Sequence, residues 1–430
     1  MKQIEILAPA GSPQKLEYAF AYGADAVYAG VPFFSLRARE NAFDLESIEK
    51  SIAYTKSLNK KIYLTANVFA RNRKIKSFYE HLDLWAKMKP HAFIMSDPGL
   101  ISVVKEKYPD IDIHLSVQAN CMNWRSVKFW KDIGVSRVIL SRELNLTEIQ
   151  EIKQRVPDME LEAFVHGAIC IAYSGRCLMS SYFSYRDANQ GACDNSCREK
   201  FNVFETPELN KDKDYYVEDL RNKGELYQIN EDEHGTYIMN SKDLNLIAHL
   251  DEIIKAGVIS LKIEGRTKSL NYLSLVLKAY RKALDDHYAG KTFDPRIHQD
   301  MAKISNRGYH TGFMVNTPKE EGQNYKSGVS RYFSQKFAGL VQKDPETPKN
   351  CIAIEVRNKL VPGQTLEVIS PKKSFQFQIG KIFDLKGNPV ESAHGGAGVR
   401  YFESPVGENI EPFSMVSLVD PKDAASETSQ

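Results

Sequence analysis

Four cysteines, Cys170, Cys177, Cys193 and Cys197, stand in the pattern C-x6-C-x15-C-x3-C, while Cys121 and Cys351 lie far apart and alone. Thiolates at that density serve as ligands for a metal ion or a metal–sulfur cluster. Zinc ribbons and ferredoxins favour two-residue gaps, so this spacing does not choose between zinc and iron–sulfur. Four thiolates on one zinc ion leave no open position, so zinc here would be structural. Cys121 and Cys351 read as small core residues. Hydrolytic signatures are missing from the sequence: there is no HExxH, no GxSxG and no P-loop.

A second group of residues suited to chemistry follows short apolar runs. Asn67, Asp97, Gln118, Asn120, Arg142, Glu143, His166, Glu264 and Arg266 each come just after such a run, and Glu162 lies inside one. A charge within a buried strand must find a partner or be expensive. Singly, each of these residues reads as a cap or a structural ion pair; jointly, some of them line a site. Arg37, Arg39, Arg142, Arg176, Arg266 and Arg307 fall at loop positions. Several guanidinium groups suggest an anionic substrate, although Arg39 and Arg307 read equally as solvated surface charge. A basic stretch, Lys56, Lys60, Lys61, Arg71, Arg73, Lys74 and Lys76, has Phe69 and Phe78 beside it. Phosphate contact is one reading and a solvated helix face the other.

The elements that must position these groups alternate strand and helix. Strands are expected at 4–8, 26–29, 62–66, 92–96, 113–117, 138–141, 161–165 and 260–263, with helical patterns at 14–22, 75–87, 124–133, 146–155 and 270–285. Such alternation argues for a parallel sheet with right-handed crossovers, and eight strands fit a (β/α)8 barrel. An open dinucleotide-binding sheet is disfavoured because the first turn, Pro9-Ala10-Gly11-Ser12, lacks the Gly-rich fingerprint. In a barrel the polar strand ends converge on one mouth. The pattern breaks at about 168–236, read as a long cysteine-bearing loop insertion after strand seven, and helical periodicity resumes at 244–256. From 333 the runs are short, β-branched or aromatic and split by Pro, Gly and Asn, as in a small all-β barrel. The expected division is therefore a barrel domain at 1–332, a C-terminal β domain at 333–423 and a disordered tail at 424–430.

The chain has 430 residues, 42% apolar and 26% charged, with a net charge of +2, so global charge does not announce a nucleic-acid binder. No apolar run approaches the ~20 residues of a membrane span. The opening MKQIEILAPAGSP reads directly into a strand, so the expectation is a cytoplasmic protein without a membrane partner. Clustered thiols in that compartment mean metal more often than disulfide.

The run EAFVHGAIC (162–170) followed by GRCLMS (175–180) resembles the signature of the collagenase-like peptidase family U32. The segments LAPAGS (7–12), YGADAVYAG (22–30), MSDPGL (95–100), HLSVQAN (114–120), VILSREL (138–144), HGTYIMNSKDL (234–244) and SLKIEGRTKS (260–269) are similar to its tRNA-hydroxylating branch. What that resemblance implies is an RNA-modifying enzyme holding a 4Fe–4S cluster. Its reaction would be prephenate-dependent C5 hydroxylation of the wobble uridine of tRNA. By resemblance, Cys170, Cys177 and Cys193 are cluster ligands, and Cys197 is the best fourth. From their places on and after the strands, His166, Glu162, Arg142, Glu264 and Arg266 are catalytic candidates; the hypothesis is that Arg142 and Arg266 clamp the carboxylates of a prephenate-like dicarboxylate while His166 and Glu162 orient groups or move protons. Asn67, Asp97, Gln118, Asn120, Arg37 and Arg176 are the substrate-binding candidates. The expected partner is the tRNA anticodon loop; a partner protein or a homo-oligomer is left open. Two alternatives stand beside this reading: a peptidase, as the family name says, and an RNA-binding protein with structural zinc.

Overall fold

The computed structural model describes residues 3–36, 41–170, 173, 177, 179–180, 186, 188, 191–198, 201–205, 215–219, 226–229, 241–315, 335–404 and 410–419. Arg37, Arg39, Arg176 and the tail at 424–430 lie outside the described residues.

In chain order the first strands and helices are β1 (Glu5–Ala10), α1 (Pro13–Ala21), β2 (Ala26–Gly30), α2 (Leu45–Ser57), β3 (Lys61–Ala66), α3 (Asn72–Lys87), β4 (Ala92–Met95), α4 (Pro98–Lys107), β5 (Ile113–Leu115), α5 (Trp124–Asp132), β6 (Arg137–Ile139), α6 (Leu146–Arg155) and β7 (Glu160–Ala168). Then come β8 (Phe201–Glu205), β9 (Tyr215–Asp219), β10 (Leu226–Ile229), β11 (Asp243–Asn245), β12 (Val258–Ile263) and β13 (Tyr309–His310). Strands β1 to β7 pair in sequence order, all parallel, and β12 pairs with both β7 and β1. Eight parallel strands therefore close a ring, the (β/α)8 barrel expected from the sequence. Every residue of β1 and β2 is buried, as a strand covered on both faces must be. The seam between β12 and β7 carries two register irregularities, one of them between Lys262 and Ile263.

Two local readings change. Residues 244–256 do not form one helix. Asp243–Asn245 is a strand, antiparallel to β7 and parallel to β13, and only Leu250–Lys255 is α-helical. Apolar residues at 244, 247 and 250 satisfy helical spacing, but pairing with β7 claims the first of them. Within the insertion, β8, β9 and β10 form an antiparallel sheet of three strands.

The C-terminal strands are β14 (Gln335–Val341), β15 (Cys351–Val356), β16 (Thr365–Ile369), β17 (Ser374–Gln378), β18 (Ile382–Phe383), β19 (Pro389–Val390), β20 (Val399–Glu403) and β21 (Met415–Val419). They make one antiparallel sheet in the order β17-β16-β21-β14-β15-β20-β18-β19. Among the described residues its two ends do not pair, so it is a half-barrel. Ile354, Leu366, Val368, Phe402 and Val416 fill its core.

Compactness divides the chain into 1–13, 26–266 and 307–331 as one unit, and 14–25, 267–306 and 332–430 as the other. The second unit thus takes α1 and the helix Leu270–Tyr288 along with the half-barrel. The reason is specific bonding: Tyr22 donates its hydroxyl to the Ile369 carbonyl at 2.7 Å, and Lys278 Nζ donates to the Ser370 carbonyl at 2.7 Å. Arg281 ties the same helix to the Gly23 carbonyl at 2.9 Å and pairs with Asp25.

Candidate functional site

Glu162, fully buried on β7, sits in a ring of charge inside the barrel. Lys262 of β12 donates to its Oε1 at 2.7 Å, while Arg137 of β6 and Ser260 reach its Oε2 at 3.1 and 3.2 Å. Arg137 also reaches Glu5 of β1 at 2.7 Å, and Tyr63 of β3 donates to the same carboxylate at 2.6 Å. Strands β6 and β1 are not neighbours in the sheet, so these bonds cross the interior. His114, against the Tyr63 ring at 4.5 Å, belongs to the same layer. Burial, then the charges of Arg137 and Lys262, pull its pKa well below the usual histidine range, so it is neutral. Burial also lowers the pKa of Lys262, with Glu162 opposing it. The structure places Glu162 as the counter-ion of two buried cations. Both its oxygens are engaged, Oε1 by Lys262 and Oε2 by Arg137 and Ser260.

Above this layer the strand ends carry the mouth. Tyr28 donates to the Ile263 carbonyl at 3.0 Å and to Glu264 Oε2 at 3.2 Å. The Tyr28 ring lies 4.2 Å from Lys262 Nζ and 5.7 Å from the Arg266 guanidinium. Arg266 donates to Ser35 Oγ at 2.8 Å. Arg142 donates to the Ala168 carbonyl at 2.9 Å and covers the Phe164 ring at 4.8 Å. His166 lies within β7, not after it, and its ring is 5.5 Å from that of Tyr309. Gly167 must be glycine: its φ is +109°, and a Cβ there would stand 2.4 Å from the Glu264 carbonyl oxygen. The two signature stretches around His166 and Glu264 thus touch through their backbones, Glu264 N–H donating to the His166 carbonyl at 2.8 Å.

Other expected ligands act as braces. Asp97 caps α4, accepting from Gly99 at 2.9 Å and Leu100 at 3.1 Å, and takes the Ala70 N–H at 2.9 Å on its other oxygen. Both carboxylate oxygens of Asp97 thus accept from backbone N–H groups. Asn67, buried, accepts from Leu36 N–H at 3.0 Å and donates to Ser116 Oγ at 3.3 Å, which ties the loops after β2, β3 and β5 together. Gln118 and Asn120 lie on and just after a short 3-10 turn behind β5, with Asn120 donating weakly to Ser141 at 3.4 Å. Arg307 is buried and paired with Asp243, so the surface reading of that arginine is also corrected. Sequence reasoning missed Tyr28, Tyr63, Arg137, Lys262 and Asp243. Lys262 was the most discoverable, as a lysine within an otherwise apolar strand.

The cysteine segment leaves the barrel directly after β7. Cys170 is exposed, Cys177, Cys193 and Cys197 are half-buried, and none of the four is in a disulfide. Burial raises the pKa of Cys177; backbone N–H groups of Met179 and Ser180 oppose the rise, and the neighbouring Cys170 and Cys193 add to it. Cys170 and Cys193 thus each lie close enough to Cys177 to act on its thiol. Ser180, buried, organises the loop: its hydroxyl reaches Asp194 Oδ1 at 2.8 Å and Cys193 Sγ at 3.8 Å, and accepts the Asp194 N–H at 3.2 Å. Among the described residues no three His, Cys, Asp or Glu side chains converge at metal-ligand spacing. The donor set nevertheless has the chemistry of a soft cluster site: four cysteines outside disulfides, none of them fully buried, with backbone N–H groups of Met179 and Ser180 on the Cys177 sulfur. Cys121 and Cys351 are core residues, as expected; burial pushes the Cys121 thiol up to about 12 and raises that of Cys351 as well. Neither is a nucleophile of depressed pKa. No helix among the described residues is long and apolar enough to cross a membrane.

Residues 11–324 match the model of peptidase family U32, and residues 334–416 match that of the U32 C-terminal domain. The chain is 45% identical over 416 residues to "tRNA hydroxylation protein P" of Escherichia coli (strain K12), covering 91% of each chain. It is 28% identical to "23S rRNA 5-hydroxycytidine C2501 synthase" of the same organism, over 88% of this chain and 54% of that one. It is also 28% identical to "Collagenase" of Porphyromonas gingivalis, over 98% and 99% of the two chains. The chain belongs to peptidase family U32, in the branch whose members are named tRNA hydroxylation protein P.

Proposed function

We propose that this protein is a tRNA hydroxylase that modifies C5 of the wobble uridine. It would use a prephenate-like dicarboxylate and a 4Fe–4S cluster on Cys170, Cys177, Cys193 and Cys197. What supports the reading is the four-cysteine pattern in the segment that follows β7, in a chain 45% identical to a protein named tRNA hydroxylation protein P. When bound, such a cluster supplies electrons or activates an oxygen donor, which side chains cannot do alone. Arg266 and Arg142, fixed by Ser35 and the Ala168 carbonyl, would hold the carboxylates of the co-substrate. Glu264, aimed by Tyr28, is the carboxylate at the mouth suited to hold a proton near the uracil ring. The base must leave its stack to enter, and an anticodon loop exposes its bases at low cost.

A peptidase is the second reading; Cys121 and Cys351, buried and raised in pKa, are not suited to be its nucleophile. Zinc remains the chemical alternative at the four sulfurs. The test is anaerobic purification with iron, sulfide and zinc assays, together with mass spectrometry of tRNA nucleosides from a deletion strain. Equal iron and sulfide, and loss of 5-hydroxyuridine derivatives in the deletion strain, are expected. Stoichiometric zinc without iron, or unchanged nucleosides, would falsify the reading.

A further inference from the structure

The basic stretch at Lys56–Lys76 is not one surface. Lys56, Lys60 and Lys61 precede or begin β3, whereas Arg71, Arg73, Lys74 and Lys76 follow it. A strand of six residues separates the two groups by about 20 Å, so only the second lies at the mouth. Phe78 is not part of that surface; it is buried with Phe34, Trp85 and Phe93.

Two local preferences are broken side by side here. Phe33, in the loop after β2, is 70% exposed and adopts φ +65°, a conformation that a bulky residue rarely tolerates. The loop is not loose. Phe34 is buried, Ser35 is bonded to Arg266, Leu36 N–H to Asn67, and the Phe34 carbonyl accepts the Val68 N–H at 3.2 Å. These anchors hold the Phe33 ring outward. Next to it, α3 opens on Arg71 with no side-chain cap and no acidic residue in its first turn. Arg73 and Lys74 therefore place positive charge at the positive end of a helix, the unfavourable arrangement. The two features are joined, because Lys74 Nζ donates to the Phe33 carbonyl at 3.0 Å. Among the described residues no carboxylate pairs with Arg73 or Lys76, both exposed and one helical turn apart. Burial, then the charge of Arg73, lower the pKa of Lys74, so Arg73 and Lys76, both exposed, are the cations argued for here. A rigid outward aromatic beside unneutralised cations is complementary to a single-stranded nucleic acid, which offers base faces and phosphates together.

We propose that Phe33 is a stacking platform for a base of the RNA loop next to the one that enters the barrel, with Arg73 and Lys76 taking the flanking phosphates. This rests on the tRNA reading above. The test titrates a labelled anticodon stem-loop against the full chain at several salt concentrations. Phe33→Ala should weaken binding about 5- to 100-fold with the salt slope unchanged, and Phe33→Trp should retain affinity. Arg73→Ala with Lys76→Ala should lower the salt slope by about 1.5. Unchanged denaturation midpoints show that the variants fold, as expected for exposed side chains. If wild type binds and hydroxylates tRNA while Phe33→Ala binds as tightly, the platform is wrong and the parent reading survives. If wild type neither binds nor modifies tRNA, both fall. Loss of binding to phosphatidylglycerol vesicles in Phe33→Ala, with RNA affinity intact, would make this a lipid surface and overturn the proposal.

Discussion

Replacing Glu162 by glutamine tests whether that carboxylate is a brace or a proton carrier. The side chain is fully buried and neutralises Lys262 and Arg137, themselves only 3% and 4% exposed. Arg137 keeps Glu5 and Glu160 as partners, so the loss falls on Lys262. Breaking one side of a buried pair costs about 3–5 kcal/mol, and the retained partners favour the lower end, about 3 kcal/mol. For a unit of this size that is a drop of roughly 6–12 °C in melting temperature. The pH dependence has a definite sign. Burial already lowers the folded-state pKa of Lys262, and Glu162 is what opposes that fall. Without Glu162 the folded pKa drops further below the unfolded value of about 10.4. Between those two pKa values the unfolded chain holds a proton that the folded chain lacks, so stability rises with pH. The deficit of Glu162→Gln against wild type should therefore shrink from pH 7 toward pH 10 in urea titrations. Adding Lys262→Met should restore most of the loss, since Phe164 and Tyr28 line the site with aromatic surface. A loss below about 1 kcal/mol, or a deficit constant with pH, refutes the argument.

Two further substitutions separate bracing from chemistry. Asp97→Ala should lower stability by about 1–3 kcal/mol in urea titration, because a helix cap and the Ala70 N–H lose their acceptor. An undiminished midpoint with weakened substrate binding would return Asp97 to the substrate site. Gly167→Ala should cost at least about 2 kcal/mol, since positive φ and the Glu264 carbonyl both oppose a Cβ. Wild-type stability in that variant would mean that the two signature stretches do not meet as described.

The barrel was legible because each strand is a short apolar run and each helix has its own period; these are local signals. The half-barrel was legible for the same reason. Partners were not legible. Glu162 and Lys262 are 100 residues apart, and Arg137 and Glu5 are 132 apart, so nothing local says that they meet. Asp97 was ambiguous because an acid at a strand's end suits a helix cap and a ligand site equally, and the N–H groups it accepts from are seen only in the structure. The basic run misled for a geometric reason: proximity in sequence across a strand is distance in space.

The charged groups divide into an interior layer and a mouth. The interior layer of Glu5, Tyr63, Arg137, Glu162, Ser260 and Lys262 has its donors and acceptors matched to one another, and matched groups resist rearrangement in a low-dielectric interior. A substrate entering from the mouth would meet Lys262 as the deepest cation, screened by the Tyr28 and Phe164 rings, with Arg266, Glu264 and Arg142 above it. The ionic layer then acts as a floor that fixes the charge beneath the site. On the proposed function, substitutions above the floor are expected to act on activity and those within it on stability. The cysteines sit above it as well, because Cys170 comes two residues after the end of β7, whose last carbonyl Arg142 already holds.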